Sequence, residues 1–138
     1  MNVDSILISE YASTTESGRL TVVNTFDTVQ VTEMPAKVPS FFISVVTEGH
    51  RSERGTTHEI HVKLLDSQRN EIGAEQNTAK ELVFPDTEPA PGMFLRHISI
   101  FKLGVQFPAE GPYSFEVHID GTYHAAANLY VQVVEQAS

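Results

Sequence analysis

Glu116, His118 and His124 come nearest, among the residues of this sequence, to a set whose types and spacing could do chemistry. Two imidazoles and one carboxylate can form a metal triad. On a strand, Glu116 and His118 point to one face, and a hairpin return puts His124 opposite or diagonal to them. Such a site is open, and no supporting shell is legible around it. A polar outer face accounts for the same residues. His58-Glu59-Ile60-His61 also looks metal-like. On a strand, however, His58 and His61 face opposite ways, and the pair that shares a face, Glu59 and His61, falls short of a site. His97 and Ser99 share a strand face, but no Gly-x-Ser-x-Gly elbow accompanies them. Asp86 and Glu88 supply too few oxygens for calcium. Without cysteine there is no thiol nucleophile, thiolate metal site or disulfide. There is no glycine-rich phosphate loop. The expectation is a protein without catalytic residues, metal or cofactor.

Charge narrows the partners. The net charge is -9, and the nine cationic residues are spread thinly, with only Arg51 and Arg54 close together. Phosphate backbones and anionic membranes are bound through clustered Lys and Arg, so neither nucleic acid nor membrane is an expected partner. The N-terminal Met1-Asn2-Val3-Asp4-Ser5 lacks the basic start of a secretory signal. No apolar run approaches the ~20 residues of a membrane span. Together with the absent cysteine, this points to the cytoplasm. A chain of 138 residues is read as one domain, residues 1–138, large enough to bury its own core.

The elements that must position these residues are strands. Glu59-Ile60-His61-Val62-Lys63-Leu64 and Ser114-Phe115-Glu116-Val117-His118-Ile119 alternate with period two. One face of each is apolar and one polar, as in antiparallel sheets packed on one side. Val3–Tyr11 and Arg19–Asn24 read as a hairpin, and Phe26–Val31 as a third strand. Pro35 and Pro39 interrupt the pattern. Ser40–Thr47 reads as a central strand, joined through Glu48–Gly55 to Thr56–Leu65 in a second hairpin. Residues 71–84 read as an edge strand, with a short helix through Ala74-Glu75-Gln76-Asn77-Thr78-Ala79-Lys80-Glu81-Leu82 as the alternative. Pro85–Gly92 is a loop.

Met93–Phe107 changes parity: Ile98 and Ile100 alternate in one register, Leu103 and Val105 in the other. A bulge near Phe101-Lys102 would reconcile them. In the last hairpin, a two-residue Asp120-Gly121 turn pairs Val117 with His124 and breaks the apolar face. A three-residue loop, Ile119–Gly121, pairs Val117 with Tyr123. It keeps Phe115 and Val117 with Tyr123, Ala125, Ala127, Leu129, Val131 and Val133, and is preferred. About eight short strands of this kind predict an all-β, antiparallel two-sheet sandwich. Gly111-Pro112-Tyr113 before a strong strand resembles the tyrosine corner of immunoglobulin-like folds.

Three stretches, taken in order, resemble a bacterial family of small β domains with no assigned function. They are Ser17-Gly18-Arg19-Leu20 with Val22-Val23-Asn24-Thr25-Phe26-Asp27, then Pro35 to Phe42, then Glu110 to Val117 with Asp120-Gly121. The resemblance covers roughly Ser5 to Val133. It implies a bacterial, immunoglobulin-like β-sandwich and carries over no active site.

The function expected is a non-catalytic protein-interaction domain that binds a protein partner or itself through loops or strand edges. Phe42 shares a strand with core-facing Phe41 but points the other way, so it is a candidate contact. The final strand, with Tyr130 and Val134 on its outer side and no charge or proline, is another. Two other readings stand beside this one. One is a small metal-binding protein or metal-dependent enzyme using His118, His124 and Glu116. The other is a structural subunit of a phage or secretion-type assembly.

Overall fold

A computed structural model of the chain describes residues 1–73 and 78–135. Ten strands make two sheets packed face to face. They are β1 (Asn2–Thr14), β2 (Leu20–Thr25), β3 (Thr28–Val31), β4 (Ala36–Gly49), β5 (Thr57–Asp66), β6 (Glu71–Ile72), β7 (Ala79–Val83), β8 (Leu95–Phe107), β9 (Gly111–Ile119) and β10 (Thr122–Val133). The four-stranded sheet runs β2-β1-β4-β8. The six-stranded sheet runs β3-β10-β9-β5-β6, with β7 also pairing β5. One short 3-10 turn, Arg51–Glu53, links β4 to β5. No helix among the described residues is long and apolar enough to cross a membrane. The sandwich expected from period-two alternation is therefore present, with more strands than the eight counted.

The core lies between the sheets. Phe41, Ile43 and Val45 of β4 face Ile60 and Val62 of β5 and Phe115 and Val117 of β9, all nearly inaccessible to water. Gly49 has a packing reason: a Cβ there would sit 2.7 Å from the Phe84 ring, which is fully buried. The Tyr113 hydroxyl donates to the Ala109 carbonyl, and its ring packs 4.8 Å from Phe107. It closes the turn before β9 as the Gly111-Pro112-Tyr113 pattern anticipated.

Several local expectations are corrected. Pro39 does not end a strand: β4 runs through it, and a register shift between Val38 and Phe41 absorbs it. A missing ladder donor is tolerated at such a bulge. β4 and β5 do not form a hairpin, because they lie in different sheets and Glu48–Gly55 crosses between them. β8 carries no bulge at Phe101-Lys102. It stays in one register with β4 from Leu95 to Leu103, so Leu95, Ser99, Phe101, Leu103, Val105 and Phe107 keep the core side. Ile98 and Ile100 stay half-buried on the outer side. The parity change marks a strand that is apolar on both faces. Residues 71–84 split into β6 and β7, both paired with β5. The helical alternative over residues 74–82 gives way to strand from Ala79 to Leu82, and residues 74–77 lie outside the described residues.

The final hairpin solves its register by another route. Asp120 (φ 52°) and Gly121 (φ 80°) both take left-handed conformations, and Ile119 pairs with Thr122 across a two-residue turn. That geometry matches the twist of the strands it joins. The extra residue enters later: Tyr123 pairs with His118 and Ala125 with Val117, leaving His124 as a bulge. The apolar face through Ala125, Ala127, Leu129 and Val131 is preserved, but Tyr123 falls on the outer side. β10 is not a free edge either. β3 pairs with it in parallel from Thr28–Tyr130 to Val31–Val133, so the sheet is mixed rather than wholly antiparallel.

Candidate interaction surface

The histidine constellations resolve into cross-links. Glu116 and His118 do meet, with Nε2 3.1 Å from Oε1. The other carboxylate oxygen accepts from Arg69 at 2.8 Å. Arg69 is delivered by the turn after β5. There Asp66 Oδ1 accepts the N–H groups of Gln68 and Asn70, and Arg69 itself has φ 65°. Glu116 is only 6% exposed although it faces outward. Burial pushes its carboxyl up, but the bonds from Arg69 and His118 outweigh this and hold it below the ordinary range. His118 also packs edge-on against Tyr123, 5.8 Å between ring centres. His124 stands apart at the bulge. Among the described residues no three His, Asp or Glu side chains are grouped to hold a metal ion.

His58 forms a second link, invisible in sequence. Its Nδ1 lies 2.6 Å from Asp120 Oδ2 and its Nε2 2.8 Å from Thr56 Oγ1. The second Asp120 oxygen accepts the Glu59 N–H at 3.0 Å. The His58 bond, then that backbone bond, holds Asp120 below its ordinary value. The order Asp-His-Thr looks like a nucleophile triad. Yet the Thr56 hydroxyl donates to the Glu53 carbonyl at 2.5 Å, so its proton is committed away from the imidazole. The set clasps the β9–β10 turn to the start of β5. Sixty-two residues separate His58 from Asp120, and only the Asp-Gly turn hinted that Asp120 would be held in place.

The other candidates separate. His61 Nε2 meets Thr78 Oγ1 at 3.0 Å on the face opposite His58. His97 faces the Val83 carbonyl at 3.0 Å, and burial lowers its pKa. Ser99 is buried with no hydroxyl partner among the described residues. Asp86 and Glu88 pair with Arg54 and Arg51 at 3.6 and 3.5 Å.

The outer face of the four-stranded sheet is different. Register puts Phe42 beside Ser9 of β1 and Lys102 of β8, Ser44 beside Leu7 and Ile100, and Val46 beside Ser5 and Ile98. On β1 and β2, Tyr11 pairs with Val23. Leu7, Phe42, Ile98 and Ile100 are half-buried here, and Val46, on the same side, is only 2% exposed. Tyr11 packs edge-on against Phe42 at 5.4 Å, and the Lys102 ammonium lies 6.0 Å from the Phe42 ring centre. Tyr11 is 50% exposed and Val23 44%. Ser9, Ser44 and Val46 are buried among these neighbours, and the band opens to water at Tyr11 and Val23. A contiguous apolar face left to water is the usual mark of an interaction site. Phe42 therefore sits in a larger surface than sequence revealed. Tyr130 is 45% exposed but lies on the polar outer face of the other sheet, where β3 covers its strand. Val134 is half-buried and donates its N–H to Val31.

Among solved structures, the chain is similar to the Pseudomonas fluorescens alkylpurine DNA glycosylase AlkC bound to DNA containing an abasic site analog. Identity is 10% and the TM-score 0.39, over 92% of this chain and 30% of that one. A likeness this distant transfers neither fold nor chemistry. No curated protein matches the sequence. A family of unknown function, DUF6941, matches residues 4–132. That match spans nearly the whole sandwich, and the chain belongs to this family.

Proposed function

We propose that this protein is a non-catalytic interaction domain whose contact surface is the outer face of the four-stranded sheet. The observation that supports the reading is the apolar band through Val23, Tyr11, Phe42, Leu7 and Ile100, exposed at Val23 and Tyr11 and half-buried in the rest. A sheet needs one apolar face to fold, and this sheet has two. Glu116 with Arg69 and His118, and Asp120 with His58, are engaged in bonds that tie the strands and turns together. The acidic composition and lack of cysteine place the domain in the cytoplasm in this reading, and the tyrosine link from Tyr113 to Ala109 supports an immunoglobulin-like sandwich.

The test is a Tyr11→Ser/Val23→Thr double variant, measured for melting temperature, sedimentation and binding of proteins from the source cells. The reading predicts unchanged folding and loss of a saturable association that the wild type shows. A wild-type chain that is monomeric at all concentrations and binds nothing would refute it. So would an association that the double variant retains.

A further inference from the structure

We propose that β2 pairs with β2 of a second copy of this chain, antiparallel and about a two-fold axis at Thr21, so that two four-stranded sheets join into one. The inference rests on the reading of the outer face as an interaction surface and names what meets its open end. The strand edges of the molecule carry it. Among the described residues β1 is the only strand neighbour of β2, so one side of Leu20–Thr25 keeps its backbone groups unpaired. Natural edges are blunted by shortness, charge, proline or a covering element. β6 has two residues and β3 four, and β7 carries Lys80 and Glu81. β8 is met by β7, where Lys80 donates to the Ile100 carbonyl and His97 faces the Val83 carbonyl. β2, Leu-Thr-Val-Val-Asn-Thr, holds neither charge nor proline, and no described strand lies beyond it. A helix spends its backbone groups on itself, so an edge of this kind selects an extended strand.

The position of the axis follows from the backbone. Thr15 donates its N–H to the Arg19 carbonyl, and in an antiparallel pair alternate residues bond to the same neighbour. Thr21 and Val23 therefore bond to β1, opposite Ser13 and Tyr11, while Leu20 and Val22 turn their N–H and C=O groups to the open edge. Left-handed residues, Gly18 (φ 78°) and Asn24 (φ 54°), bound the regular stretch at equal distances from Thr21. With Thr21 opposite Thr21, Leu20 of each copy exchanges N–H···O bonds with Val22 of the other, and the outward groups of both residues are satisfied. The side chains match in the same register. Leu20 and Val22, half-buried on the inner side, lie opposite each other across the axis. On the outer side Val23, 44% exposed, lies opposite Arg19, whose aliphatic stem covers it. Leu20–Thr25 is uncharged, so no like charges meet. An unrelated strand would find the backbone groups but not this match, which the two-fold axis supplies from the chain itself.

The experiment is sedimentation equilibrium of the full chain over a wide concentration range. The wild type should show a monomer–dimer equilibrium. Val22→Pro removes an outward N–H that the hairpin itself does not use, and should abolish the dimer while circular dichroism stays native. If that variant does not fold, Thr21→Lys and Thr21→Glu, at an exposed position, set like charges opposite each other. Each alone should stay monomeric, and mixing the two in equal amounts should restore the dimer. The chain has no cysteine, so Thr21→Cys introduces its only thiol. Across the axis the Cα atoms lie about 4.5 Å apart, within reach of a disulfide, and mild oxidation should cross-link the two copies. A dimer that survives Val22→Pro and both charged variants would overturn the edge pairing; its loss in Tyr11→Ser/Val23→Thr would still leave the outer face as the contact. A monomeric chain that binds another protein through Tyr11 and Val23 would overturn the second copy and leave the face. A dimer lost in Val22→Pro yet retained in Tyr11→Ser/Val23→Thr would uphold the edge and refute the face. A chain that neither self-associates nor binds anything would overturn both.

Discussion

The outer faces of the two sheets invite comparison, because the same alternation in sequence produced both. On the six-stranded sheet the outward residues are Glu59, His61, Lys63, Glu116 and His118, with Arg69 reaching over from a turn. Arg69, Glu116 and His118 are bonded to one another, and Glu116 is held out of water among them. On the four-stranded sheet the outward residues are Leu7, Tyr11, Phe42, Val46, Ile98 and Ile100, and they meet only their neighbours. One face completes itself and the other does not. The contrast separates two uses of a sheet surface. Histidines and carboxylates, the residues that first suggest chemistry, maintain the fold here, while unremarkable aliphatics and a tyrosine form the open surface.

The largest effect should come from beneath both faces. Val117→Asp puts an unpaired carboxylate into a fully buried site next to Glu116 in sequence. The cost is several kcal/mol against a total stability of about 5–15 kcal/mol, so the variant should be unfolded by near-ultraviolet circular dichroism. A native spectrum would show the face assignment on β9 to be inverted.

Next in size are changes to the self-bonded face. Arg69→Ala or His118→Ala leaves one Glu116 oxygen short of a partner in a buried setting. Each should cost about 1–3 kcal/mol in urea denaturation and leave partner binding alone. Values below the error of the fit would mean that solvent replaces the bond freely, and that Glu116 is less enclosed than the fold suggests.

Acid should discriminate the two faces by a smaller margin. Glu116 and Asp120 are held below their ordinary values of 4.5 and 3.8, so the stability they add is complete above those values and is lost below them, as pH falls through the lowered values of the folded state. His97 is held below 6.5 by burial, so the unfolded chain takes up its proton first and stability begins to fall as pH drops past that point. Melting temperature against pH should therefore decline in two stages. His97→Gln should remove the upper stage and Glu116→Gln with Asp120→Asn should shrink the lower. Tyr11→Ser/Val23→Thr should leave the profile unchanged. A single stage that ignores these substitutions would place the acid sensitivity elsewhere.

The smallest effect belongs to Tyr130→Lys. Tyr130 is exposed on the polar face, and β3 occupies the strand edge beside it. Stability should move by no more than about 0.5 kcal/mol, and binding not at all. A clear loss of binding would return the final strand to consideration as a contact.

Strand periodicity made the sandwich legible, since Ile60, Val62, Phe115 and Val117 fall on one side in any register. The apolar face of the last hairpin was legible too, but not the His124 bulge that produces it. A turn and a bulge can each supply one residue of offset, and sequence does not say which. The open face was partly legible through Phe42. Ile98 and Ile100 signalled the rest, yet a change of parity reads equally as a bend or as a strand apolar on both sides. The partnership of His58 with Asp120 was not legible, because only the antiparallel pairing of β5 with β9 brings them together.

Site-specific photocrosslinking in the source cells tests the central claim most directly. A benzophenone side chain would be placed at Thr21, on the outer side beside Val23, or at Gln132, on the outer side of β10. The account predicts a covalent adduct to another polypeptide from position 21 and none from position 132. Adducts from position 132 alone, or from neither position, would contradict it.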